Sequence, residues 1–104
     1  MQLYDPFTIV TLILLDEYGL TGEAPVGEFV RAGQLGPGGA LPTNTGGGQL
    51  SGFYLQGMTP LAEAVIQLRG TGGARQVPGA STALVGGIGG RMDHHAAMVL
   101  ERVA

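Results

Sequence analysis

The chain has 104 residues, of which 12% are charged and 44% are hydrophobic, so it is long enough for one small domain and too apolar for a disordered segment. Its net charge of −3 leaves no basic surface for nucleic acid, and the absence of cysteine excludes a cysteine nucleophile, a disulfide and a cysteine-ligated metal within the chain. The longest apolar run, within 7–15, is too short to span a membrane, and no signal peptide is visible. We therefore expect a soluble cytoplasmic protein.

Three segments predict helices, each bounded by residues that favour helix ends. The predicted helices run from Asp5 to about Tyr18, from Pro25 to before Gly33, and from Thr59, or a turn earlier, to before Gly70. The first helix is apolar on nearly every side between 7 and 15, which is typical of a helix buried within a larger structure. The third carries an apolar stripe, with Glu63, Gln67 and Arg69 mostly off it.

Two further segments, 81–88 and 96–103, predict strands joined as a hairpin by a glycine-rich turn. Two strands do not make an independently stable sheet, and the first helix needs more cover than its neighbours supply. The chain is therefore expected to be part of a larger fold or to pair with another chain.

Residues 41–57 form a loop rich in glycine and small polar side chains, between segments that predict helices. Glycine lets backbone N–H groups approach a ligand closely, so this loop is a candidate ligand-binding segment. Surface flexibility is the alternative for such a loop.

Several motifs, taken together and in order, resemble the C-terminal part of a thiolase-superfamily protein of the lipid-transfer or sterol-carrier branch. They are Tyr4-Asp5-Pro6-Phe7-Thr8, Gly39-Ala-Leu-Pro-Thr-Asn-Thr-Gly-Gly-Gly48, Leu50-Ser-Gly52, Glu63-Ala-Val-Ile-Gln-Leu-Arg-Gly70 and Arg75-Gln-Val77. The resemblance covers nearly the whole chain and implies an α/β fold of two similar layered halves. Residues 1–104 would be a partial C-terminal domain, incomplete on its own: three helices, the first central and buried, followed by two strands of a mixed five-stranded sheet. The strand before Tyr4 and the whole first half would lie outside the chain.

The positions that carry thiolase chemistry are altered in this chain. Gly52-Phe53-Tyr54-Leu55 stands where the family usually has Gly-His-Pro, Tyr4-Asp5 where it often has His-Asp or Asn-Glu, and Val85-Gly86-Gly87-Ile88 where it often has Cys-x-Gly. The acyl-accepting cysteine of the family belongs to the missing half. Claisen condensation by the ordinary mechanism is therefore not expected.

The two tyrosines resemble the pattern of the thiolase-like aldolases of bacterial steroid side-chain breakdown. Those proteins cleave a β-hydroxyacyl-CoA by a retro-aldol reaction, with a partner that carries an OB-fold and a zinc ribbon. The resemblance implies that one of Tyr4 and Tyr54 deprotonates the hydroxyl while the other protonates or hydrogen-bonds the thioester enolate. A helix N-terminus after each tyrosine would favour the phenolate. The alternatives are a terminal aromatic that packs on the first helix, for Tyr4, and a loop aromatic that fills a core, for Tyr54.

The glycine-rich loop supplies the candidate substrate-binding residues, which are Asn44, Gly46, Gly47, Gly48 and Gly52. Their amides would donate to the thioester oxygen or to the CoA arm. The alternative is that glycine simply permits a tight turn.

No resident cofactor and no metal are expected, and acyl-CoA enters as substrate. Asp93, His94 and His95 carry metal-binding groups, but adjacent histidines in a strand point to opposite faces. The glycines at 86–90 do not open a helix, which argues against a dinucleotide site. Arg69, Arg75 and Gln76 are expected to bond helix ends and loops rather than CoA phosphates.

Two other functions remain open from the sequence. One is a non-catalytic thiolase-like subunit that binds lipid or acyl-CoA or completes a partner's fold, and the other is a truncated product with no independent function. As an enzyme, the chain would act only in a homo- or hetero-oligomeric assembly with a companion chain carrying the N-terminal half.

Overall fold

A computed structural model describes residues 1–103 and has an α/β architecture in which helices precede a β-hairpin. The elements are β1 (Gln2–Leu3), α1 (Thr8–Glu17), α2 (Val26–Arg31), a π-helical turn (Gly48–Gly52), α3 (Met58–Arg69), a 3-10 turn (Gly73–Arg75), β2 (Thr82–Gly89) and β3 (His94–Glu101). The three predicted helices and the predicted hairpin are therefore confirmed.

The sheet has three strands in the order β1-β2-β3. β2 and β3 pair antiparallel from Thr82 opposite Glu101 to Gly89 opposite His94, and β1 lies parallel to β2 with Gln2 beside Val85. The expectation that the strand before Tyr4 lies outside the chain was wrong, because β1 is that strand. Its two residues are too few to show the alternating pattern by which strands are recognised.

Two apolar clusters place α1 and α3 on opposite faces of the sheet. Leu3 packs with α1 through Val10, Leu14 and Leu15. The second cluster joins α3 to β2 through Ala64, Leu68, Ala83 and Val85. Val85 lies beside Gln2, and Gln2 and Leu3 point to opposite faces of β1, so the sheet separates the two helices.

The three helices begin at residues other than those predicted. α1 begins at Thr8 with Phe7 as its N-cap, and Asp5 does not cap it. α2 begins after Pro25, which occupies the N-cap position rather than the first helical turn. α3 begins at Met58, so Thr59 lies inside its first turn. The predicted stop is confirmed, since Gly70 ends α3 in the left-handed conformation with φ +72°.

One side of α1 is buried, but the other is not covered by any element within residues 1–103. Val10, Leu14 and Leu15 are buried, while Ile9 is 55% exposed. Nearly all of β3 is exposed as well. None of the helices in the described residues is long and apolar enough to cross a membrane.

Candidate functional site

The structure brings Tyr4 and Tyr54 together although they are fifty positions apart in sequence. Their hydroxyl oxygens lie 3.0 Å apart, within hydrogen-bonding distance. The rings meet edge to face, with centroids 6.5 Å apart and an interplanar angle of 74°. The two positions expected to face one site therefore do so.

Tyr4 is held by the end of the sheet and by the buried residue that follows it. Its backbone N–H donates to the Gly86 carbonyl at 2.8 Å, which continues the pairing of β1 with β2. Asp5, only 3% exposed, accepts a hydrogen bond from the Gln49 N–H at 2.8 Å. Asp5 therefore ties the Tyr4 segment to the glycine-rich loop instead of capping α1.

The hydrogen bond to Tyr54 raises the pKa of Tyr4 above its ordinary value, and desolvation and the negative charge of Asp5 act in the same direction. The expectation that a helix N-terminus favours a phenolate is thus not met at Tyr4. α1 begins at Thr8, four residues after Tyr4.

The tyrosine pair lines a cleft of about 740 Å³ between the start of α1, the segment after the π-helical turn and the turn between β2 and β3. Phe7, Val10, Ile88 and Met92 supply apolar walls, and Arg91 supplies a cation. The 89–92 turn was not predicted from the sequence as part of this site. This turn lines the cleft because of the pairing register of the β2–β3 hairpin, and no local sequence motif indicates that register.

The five candidate substrate-binding residues do not line the tyrosine cleft. The Asn44 side chain is committed to the backbone of β1: its Oδ1 accepts from the Leu3 N–H at 2.7 Å and its Nδ2 donates to the Leu3 carbonyl at 3.0 Å. The Asn44 amide thus acts as a strand partner for β1. The Gly47 N–H is also used within the chain, since it donates to the Asn44 carbonyl at 2.8 Å.

The glycines of this loop stand where backbone and side chains approach too closely for a Cβ. A Cβ at Gly46 would lie 2.8 Å from Glu63 Oε2, one at Gly48 would collide with the Asp5 carboxylate, and one at Gly52 would collide with the Gly46 carbonyl. Gly48 also has φ +57°. The tight-turn explanation therefore accounts for these glycines, and their contact with substrate stays a prediction.

Glu63 anchors the loop to α3. Its buried carboxylate accepts hydrogen bonds from Thr45 Oγ1 at 2.7 Å, from Gln67 Nε2 at 2.9 Å, and from the Arg75 guanidinium at 3.0 Å from both Nε and Nη2. Burial alone would raise the pKa of Glu63, but these donors outweigh it and hold the pKa below its ordinary value.

The expectation that Glu63 and Gln67 lie off the buried stripe of α3 was wrong, because both are buried. Their spacing of four residues was the available signal, since it places two groups that can bond each other on one helix face. Arg75 and Gln76 bond the chain itself as expected, Arg75 to Glu63 and Gln76 Nε2 to the Gln67 carbonyl.

The two histidines lie at the start of β3 and use local partners. His94 Nδ1 lies 3.0 Å from Asp93 Oδ1, and His95 Nε2 lies 3.0 Å from the Met92 carbonyl. Within the described part of the chain, no three His, Asp or Glu side chains group closely enough to hold a metal ion.

Comparison with known proteins gives a family match over almost the whole chain. The model of a family described as thiolase C-terminal domain-like matches residues 1–102. A 17-hydroxy-3-oxo-4-pregnene-20-carboxyl-CoA lyase from Mycobacterium tuberculosis is 51% identical over 69 residues, which are 66% of this chain and 18% of that protein. A steroid side-chain-cleaving aldolase from Thermomonospora curvata is 46% identical over 69 residues, with the same shares.

A third relative aligns over more of the chain at lower identity. Sterol carrier protein 2 from Bos taurus is 39% identical over 92 residues, which are 86% of this chain and 17% of that protein. The chain thus spans only about a fifth of the length of the curated relatives that it matches.

Proposed function

Because this chain belongs to the thiolase C-terminal domain-like family, we propose that it forms the C-terminal part of a thiolase-like aldolase that cleaves a β-hydroxyacyl-CoA. The observation that carries the proposal is the 3.0 Å contact between the Tyr4 and Tyr54 hydroxyls in a cleft with apolar walls. The names of the lyase and the aldolase, at 51% and 46% identity, support a steroid side chain as the acyl group.

The proposed reaction needs two proton transfers and no cysteine. A base removes the proton of the β-hydroxyl, the bond between the α and β carbons breaks, and its electron pair forms the thioester enolate. A proton delivered to the α carbon then completes a shortened acyl-CoA, and the former β carbon leaves as a ketone. Atoms and electrons balance without an oxidant or a second substrate.

The 3.0 Å contact between the two hydroxyls allows one phenol to act as the base while the other donates a proton to the enolate. The phenol that keeps its proton stabilises the phenolate of the other by donating across this contact. After each turnover, proton transfer across the same contact restores the pair.

Replacing each tyrosine by phenylalanine tests the catalytic role of the pair in the assembled protein, with 17-hydroxy-3-oxo-4-pregnene-20-carboxyl-CoA as the probe substrate. We expect Tyr4→Phe and Tyr54→Phe each to lower kcat by about 10²- to 10⁴-fold, the usual worth of general acid–base catalysis. Tyr18→Phe is the matched control, because the Tyr18 hydroxyl is buried and has no hydrogen-bond partner within residues 1–103. Unchanged rates in both Tyr4→Phe and Tyr54→Phe would reject the proposal.

A non-catalytic role in binding lipid or acyl-CoA is the second candidate. It is favoured by the alignment with sterol carrier protein 2, which is longer than the alignments with the aldolases, and by the apolar lining of the cleft. This role predicts saturable binding of the probe with no change in its chemical form.

The remaining part of the assembly belongs to the same proposal. We place the rest of a thiolase fold against the exposed side of α1, where Ile9 is uncovered, whether it comes from the same polypeptide or from a companion chain. A partner with an OB-fold and a zinc ribbon is proposed from the resemblance, and an oligomeric assembly and a cytoplasmic location are proposed with it.

A further inference from the structure

Tyr54 lies between two backbone groups that are bonded to the same side chain. The Thr59 hydroxyl donates to the Phe53 carbonyl at 2.8 Å, and it accepts a hydrogen bond from the Leu55 N–H, also at 2.8 Å. One hydroxyl therefore closes a ring around the backbone of Tyr54, using its donor and one of its acceptor sites.

Packing does little to orient this segment. Tyr54 is 55% exposed, and its neighbours Phe53 and Leu55 are 68% and 55% exposed. Gly52 precedes the segment, and Gln56, which follows it, has φ +49°. A short exposed stretch of this kind has many backbone conformations available unless hydrogen bonds select one.

The element that carries Thr59 is fixed more firmly. Thr59 is in the first turn of α3, and Pro60, Glu63 and Ala64 of the same helix are buried. The Thr59 hydroxyl therefore links the backbone on both sides of Tyr54 to α3. This helix is held in place by its packing on the sheet and by the hydrogen bonds of Glu63.

We propose that Thr59 is a positioning residue, which aims the Tyr54 side chain at Tyr4 by bonding the backbone on both sides of Tyr54. The catalytic part of this inference rests on the proposed function of the tyrosine pair. We call the two hydrogen bonds of Thr59, to the Phe53 carbonyl and from the Leu55 N–H, the clamp. The clamp involves only backbone partners and can be measured without turnover.

Thr59→Val removes the hydroxyl and preserves the shape of the side chain, while Thr59→Ser keeps the hydroxyl. In the assembled protein, with the same acyl-CoA probe, we expect Thr59→Val to lower kcat by about ten- to a hundredfold, the range that a displacement near 1 Å produces, and to leave KM within about twofold. Thr59→Ser should retain most of the activity. Thr71→Val is the matched control, since the Thr71 hydroxyl bonds only the Ile66 carbonyl at the far end of α3.

Amide hydrogen exchange at Leu55 gives a readout that needs no activity. We expect Thr59→Val to increase the exchange rate of the Leu55 amide and Thr59→Ser to leave it near that of the wild type. If Thr59→Val lowers the stability of the protein, Thr59→Ala replaces it in this measurement. Because Thr59→Ala also removes the hydroxyl, we expect the same increase in the exchange rate of the Leu55 amide.

The outcomes separate this inference from the proposed function. If Tyr54→Phe lowers kcat but Thr59→Val does not, the positioning role is wrong and the aldolase proposal stands. If Tyr54→Phe has no effect, the aldolase proposal fails, and the Leu55 exchange rate still decides whether the clamp exists. Equal Leu55 exchange in wild type and Thr59→Val overturns the clamp.

Discussion

Glu63 is a buried acid whose effect reaches the whole glycine-rich loop. It accepts from Thr45, and Thr45 Oγ1 in turn accepts from Gln2 Nε2 at 3.0 Å, so the loop, α3 and β1 meet at one carboxylate. We expect Glu63→Gln to lower the free energy of unfolding by about 1–3 kcal/mol, because it weakens the charged hydrogen bonds and leaves Arg75 without its partner. Chemical unfolding measures this change.

Glu28→Gln is the control for that substitution. Glu28 is exposed on α2, and its replacement should change the free energy of unfolding by less than about 0.5 kcal/mol.

The contribution of Glu63 to stability depends on pH in a defined direction. The pKa of Glu63 is lowered on folding, so its contribution is present above its ordinary value of 4.5 and is lost as the pH falls through the lower folded value. A wild type that loses no more stability on acidification than Glu63→Gln would contradict this.

At single residues, the sequence predicted the pair Tyr4 and Tyr54 but not the side chains that hold them. Glu63 was placed mostly off the apolar stripe of α3, because charged residues of a helix usually lie away from that stripe. Its partners Thr45 and Arg75 lie 18 and 12 positions away, a pairing that only the fold creates. Asp5 was taken for a helix cap because its competing partner, the Gln49 N–H, lies 44 positions away.

Among the elements, the π-helical turn is the one that depends most on glycine. A Cβ at Gly48 would meet the Asp5 carboxylate, and φ +57° is unfavourable for any residue with a Cβ. We expect Gly48→Ala to lower the free energy of unfolding by about 1–3 kcal/mol. Thermal or chemical unfolding tests this.

Gly57→Ala is the matched substitution for Gly48→Ala. Gly57 has φ −62°, and no atom lies within 4 Å of a Cβ built there. Alanine at this position should raise the stability by about 0.4–1 kcal/mol, because it restricts the unfolded chain without strain in the folded one. Equal effects of the two substitutions would show that the contact of Gly48 with Asp5 does not constrain the turn.

The sequence predicted the larger elements well and their exact starts less well. Periodicity and the glycine stop at Gly70 were sufficient for α3, and two short apolar runs on either side of a glycine-rich turn were sufficient for the hairpin. β1 was not predicted, because two residues are too few to show the alternating pattern of a strand. The start of α1 was misplaced because a tertiary hydrogen bond took Asp5 away from the role that local sequence favours.

For the whole molecule, the prediction of an incomplete fold came from α1, whose apolar residues were too many for its neighbours to cover. The structure shows the consequence as an exposed Ile9 and an exposed β3, and the relatives are more than five times as long as the aligned segment. The cleft could not be predicted as a shape, because its walls come from three segments that only the hairpin register and the sheet order bring together.

We propose that this thiolase-type site carries out retro-aldol cleavage with two phenols in place of acyl transfer. The most direct measurement is product analysis after the assembled protein is incubated with 17-hydroxy-3-oxo-4-pregnene-20-carboxyl-CoA in the absence of free CoA. We expect equal amounts of a steroid ketone and a shortened acyl-CoA, with both products strongly reduced in Tyr54→Phe. Cleavage only of a β-ketoacyl-CoA, and only when free CoA is added, would contradict it.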